Sequence, residues 1–103
     1  LGLQVLSVDS SPSCVAAMQR SHGAEGLEWR VHDVRDLASL GGEARFAAAV
    51  EKGCLDALLC DSDESAALYV AGLAAVLPEG ALLLMVSNCP MRHRHLAAHF
   101  EIR

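Results

Sequence analysis

The sequence predicts an α/β fold, a parallel sheet with flanking helices. Three observations carry that prediction. Four short apolar runs alternate with helix-compatible stretches in the order strand, helix, strand, strand, helix, strand. A serine followed by proline, Ser11-Pro12, opens the first helix directly after the first run. The last run, Ala81 to Val86, is apolar throughout, the pattern of a strand buried on both faces.

The elements follow in order. Leu3 to Val8 is a mostly apolar run of strand formers that ends at Asp9-Ser10-Ser11-Pro12. Val15 and Met18 then fall three apart on one helix face, and Gly23 stands where that helix would stop. From Leu27 to Val31, Leu, Trp and Val alternate with Glu28 and Arg30, which predicts a second strand with Trp29 on its core face. His32-Asp33-Val34 closes it, and a polar stretch leads to the Gly41-Gly42 break. Phe46 to Val50 is small and apolar; its alanines favour helix, but its length and the stop at Gly53 favour a buried strand. The acids of Asp61 to Glu64 suit a helix start, with the helix over Ser65 to Leu77. Leu96 and Phe100 give the tail from Met91 to Phe100 helical spacing.

Composition bounds the function. At 103 residues the chain has room for one domain. It is 52% hydrophobic and 20% charged, which excludes a disordered tail, and only 4% aromatic, so Ala, Leu and Val must build the core. A net charge of −5 argues against sequence-independent nucleic-acid binding. Pro78-Glu79-Gly80 interrupts the apolar stretch from Ala66 to Val86, so a helix, a turn and a strand are expected rather than a membrane span. Cys14, Cys54, Cys60 and Cys89 form no C-x-x-C pair, and reduced thiols in a cytoplasmic protein are the simplest expectation. The chain opens on a strand pattern without a signal peptide, and the domain is expected to begin upstream of Leu1.

Ligands of parallel sheets bind at the carboxyl ends of the strands. The distinctive acids Asp9, Asp33 and Glu51 all follow such ends. Asp9 is placed to accept both hydroxyls of a ribose; the competing role is to cap the next helix, which Ser10 and Ser11 also serve. Asp33 suits the exocyclic amine of an adenine with the Val34 N–H on a ring nitrogen, or it is an ordinary turn acid. The G-x-G-x-x-G of a dinucleotide-binding dehydrogenase is absent before Asp9. His95 and His99, four apart, have metal-ligand spacing, but the interleaved Arg92 and Arg94 read as a solvated basic helix start, and no metal is expected.

Four strings carry a family resemblance: Val8-Asp9-Ser10-Ser11 with Val15 and Met18; Asp33-Val34-Arg35; Glu51-Lys52-Gly53-Cys54-Leu55-Asp56-Ala57-Leu58, the most specific; and Val76-Leu77-Pro78-Glu79-Gly80 before the last strand. On these, from about Val5 to Val86, the chain resembles class I S-adenosylmethionine-dependent methyltransferases, and within them the elongation factor 1-alpha lysine methyltransferase group. Departures are Cys54 for a usual Thr, Ala47 for a frequent Asp, and a shorter segment between Leu59 and Leu77. The resemblance implies a Rossmann-like fold, partial here, whose first, central strand, glycine-rich loop and final antiparallel strands are missing. With the centre gone, the neighbouring strands would close together or leave a gap. It further implies S-adenosylmethionine as cofactor, with Asp9 and Ser10 at the ribose, Asp33 and Val34 at the adenine, and Glu51 and Lys52 near the methyl donor and the incoming amine. The implied acceptor is a lysine on a protein substrate such as a translation elongation factor, with no nucleic acid and no membrane involved. A non-catalytic cofactor-binding or interaction remnant of the same fold is the alternative.

Overall fold

The computed structural model describes residues 2–40 and 46–103; the expected Gly41-Gly42 break lies outside them. The chain is α/β and divides into two units, one ending at Val34 and one beginning at Arg35.

In the first unit, β1 (Val5–Asp9) and β2 (Leu27–Val31) pair in parallel, with Val5 opposite Leu27 and Asp9 opposite Val31. Between them runs α1 (Pro12–His22). Ser11 is its N-cap, its hydroxyl accepting the Cys14 N–H at 3.2 Å, and Pro12 occupies the first turn where no donor is lost. Gly23 does end this helix, but not through a left-handed turn: its φ is −69°. Glycine is needed there because a Cβ would lie 2.6 Å from the Gln19 carbonyl oxygen. Val15 is the buried anchor of α1, and the Gln19 side chain donates to the Trp29 carbonyl at 3.1 Å, fastening α1 to β2. Trp29 is half-buried, and its indole N–H is buried without a hydrogen-bond partner among the described residues.

A 3-10 segment over Val34–Ser39 joins the units. The second unit pairs β3 (Ala48–Lys52) and β4 (Leu82–Val86) in parallel, Ala48 opposite Leu82 and Lys52 opposite Val86. Two helices make the crossover, α2 (Cys54–Asp61) and α3 (Asp63–Val76). The sequence reading contains α3 but not α2, and it stops β3 at Val50, two residues early. Both differences have one cause. Gly53 does not end a strand and loop; at φ 71° it turns the chain from β3 straight into α2, a conformation disfavoured for residues with a Cβ. Ser62 separates the helices: its hydroxyl caps α3 by accepting the Ser65 N–H at 3.0 Å, with Asp63 and Glu64 in the first turn as the acidic cluster suggests.

The core of this unit is Leu55, fully buried, with Ala66, Tyr69, Val70, Leu73 and Val76 along one face of α3. Gly72 lets Leu37 approach so closely that a Cβ would sit 3.0 Å from the leucine Cβ. The tail forms only one turn, α4 (His93–Leu96), anchored by buried Leu96.

The strands form two two-stranded parallel sheets, β1 with β2 and β3 with β4, where the sequence left open a closed or an interrupted sheet. One expectation is corrected: β4 is not covered on both faces. Leu82, Leu84 and Val86 are 72%, 60% and 47% exposed, on the face they share with Val50 at 74%. A parallel pair is normally covered on both sides, and here the helices cover one.

Candidate functional site

The first unit brings Asp9, Ser10, Asp33 and Val34 to the carboxyl end of its sheet. The His32 N–H donates to the Asp9 carbonyl at 3.0 Å, so the chain leaves β2 beside the end of β1. Asp9 and Ser10 are exposed, as is Asp33, and Val34 is half-buried. One Asp9 carboxylate oxygen accepts the Ser11 N–H at 2.8 Å; the other makes no hydrogen bond among the described residues. Asp9 therefore shares in shaping the helix entry while Ser11 caps it, and one oxygen stays turned to solvent.

The second unit carries Glu51 and Lys52 at the end of β3, and their side chains part company because neighbours on a strand point to opposite faces. Lys52 is exposed on the apolar face. Glu51 is only 8% exposed. Its Oε2 accepts the Leu55 N–H at 3.0 Å and the Tyr69 hydroxyl at 3.4 Å, and Oε1 is buried without a partner among the described residues. Gly53 has no side chain to cap α2, and Glu51, two residues earlier, satisfies one of that helix's first amides instead. Burial pushes the Tyr69 phenol well above its ordinary value, with the charges of Cys54 and Glu51 adding to the rise.

A residue without a separate role in the sequence reading organises the end of β4. Asp56, in the first turn of α2, accepts the Asn88 N–H at 3.0 Å on Oδ2. On Oδ1 it accepts the Ser87 hydroxyl at 2.7 Å and the Arg92 Nε at 2.5 Å. The Asn88 amide, then Ser87 and Arg92, hold its pKa down at about 2. The only sequence signal is its place in the Glu51–Leu58 string; its partners lie 31 to 36 positions further on, beyond the reach of local spacing.

Cys14 and Cys60 are exposed, Cys54 and Cys89 half-buried, and none forms a disulfide. No group of three or more metal-ligating side chains occurs among the described residues. Nor is any described helix long and apolar enough to cross a membrane. No family model matches the chain, and searches of curated proteins and of solved structures find no significant similarity.

Proposed function

We propose that the chain is part of a class I S-adenosylmethionine-dependent methyltransferase that modifies a lysine on a protein, with a translation elongation factor as the kind of substrate and the cytoplasm as its setting. The observation that carries the reading is Asp9: exposed at the carboxyl end of β1, beside the exit of β2 toward Asp33, with one carboxylate oxygen unbonded. The strand pairs support it. In the family's strand order, 3-2-1-4-5, loss of the first strand leaves the second beside the third and the fourth beside the fifth, and the pairs observed in this chain are β1 with β2 and β3 with β4.

The donor would supply a methyl group already activated on a sulfonium. What this chain must do is bind and align, and orientation accounts for as much as roughly 7–11 kcal/mol in favourable cases. Asp9 accepts the ribose hydroxyls, with Ser10 beside it, and Asp33 with the Val34 N–H reads the adenine edge. In the second unit Glu51 Oε2 serves α2 and Tyr69, and Lys52 is exposed at the end of β3.

The test is a titration followed residue by residue in amide spectra. The chain carries no glycine-rich loop ahead of Asp9, so S-adenosylmethionine is expected to bind it weakly, with Kd above about 1 μM. The shifts it causes are expected at Asp9, Ser10, Asp33 and Val34. Shifts elsewhere and none at these four would overturn the reading.

A further inference from the structure

We infer that Asp56 is a positioning residue, which holds the loop from Ser87 to Arg92 in one conformation at the carboxyl end of the β3–β4 sheet. Three donors from that loop converge on one carboxylate: a hydroxyl, a backbone N–H and a guanidinium. Within the loop the Ser87 hydroxyl oxygen also accepts the Cys89 N–H at 3.1 Å, so Ser87 relays the hold one residue further. The Arg92 N–H bonds the Cys89 carbonyl at 3.3 Å, which closes the loop into α4. The loop contributes little apolar burial of its own before Leu96, so polar contacts must fix it.

Its place gives the hold a purpose. Gly53 N–H donates to the Val86 carbonyl at 2.9 Å, so the loop after β4 starts beside the turn that follows Lys52. Loops at this end of a parallel sheet form its ligand site. Fixing this one holds the backbone of exposed Asn88 in a set position beside the strand end. That functional half rests on the methyltransferase reading, in which an acceptor amine must be aligned there.

Amide hydrogen exchange on the chain tests the inference. Asp56→Asn keeps size and one acceptor oxygen but turns an NH2 group toward the Asn88 N–H. A hydrogen bond to a charged acceptor is strong enough that exchange at Asn88 is expected to rise about tenfold or more, with the α3 amides from Ala66 to Leu73 unchanged. Ser87→Ala is the milder variant, expected to speed Cys89 most and to leave α3 alone. Unchanged exchange at Asn88 would overturn the inference. So would a proportional rise across α3, which would make Asp56 a support of the whole unit. Neither result depends on the cofactor: if the methyltransferase reading fails, the titration shows it while the exchange pattern stands.

Discussion

The Glu51 carboxylate accepts the Leu55 N–H at 3.0 Å, so a strand residue caps the helix that follows it. Gly53 makes this necessary, because the left-handed turn that admits α2 so soon after β3 leaves no side chain at the cap position. The strand end and the helix start are thereby one structural unit.

Glu51→Ala is expected to lower stability by about 1–3 kcal/mol, since it removes a cap and leaves the Leu55 amide and the Tyr69 hydroxyl without this acceptor. Glu51→Gln keeps an acceptor oxygen and is expected to cost less. Tyr69→Phe removes only a 3.4 Å bond and should cost least of the three. Urea unfolding of the three variants gives the order directly.

Asp56 sets the behaviour in acid. Its folded pKa, about 2, lies below the ordinary 3.8, so its stabilising contribution is present above pH 3.8 and is lost as pH falls toward 2. Wild type and Asp56→Asn are therefore expected to differ in melting temperature at pH 7 and to converge near pH 2. A difference that is the same at both pH values would mean that the charge of Asp56 is not what holds the loop.

The open face of the second sheet gives the opposite kind of expectation. Val50 and Leu84 are 74% and 60% exposed, so Val50→Thr and Leu84→Thr are expected to change stability by less than about 0.5 kcal/mol. Self-association of the chain, followed by light scattering, is expected to decrease in both, because a contiguous exposed apolar face favours contact between copies.

Much of this fold is legible in the residues. Ser11-Pro12 marks the start of α1 and the alternation from Leu27 to Val31 marks β2, because caps and period-2 patterns are local signals. The α2 helix is not legible: Cys54 to Asp61 is only eight residues, short enough for its leucines to read as an apolar run, and its cap comes from a strand. The bare face of β4 escapes for a related reason. An all-apolar strand announces that burial suits it on both sides, and only the packing shows that helices cover one. Asp9 and Asp33 in the first unit and Lys52 in the second stand exposed at or just after strand ends, as their positions in the sequence suggest. The inward turn of Glu51 and the convergence on Asp56 depend on partners as far as 36 positions away.

The central claim rests on the unbonded oxygen of Asp9, and one measurement addresses it most directly: thermal shift with and without S-adenosylmethionine on Asp9→Ala and Asp9→Asn. The account predicts that Asp9→Ala loses the cofactor-induced shift, a cost of roughly 2–4 kcal/mol in affinity for two charge-assisted bonds. Asp9→Asn, which retains one acceptor oxygen, loses less. Without ligand Asp9→Ala loses only the exposed bond from the Ser11 N–H, and both variants melt close to wild type because Ser11 still caps α1. An Asp9→Ala chain that keeps the full cofactor-induced shift, while losing about 1 kcal/mol of unliganded stability, would contradict the account and leave Asp9 a helix-entry residue alone.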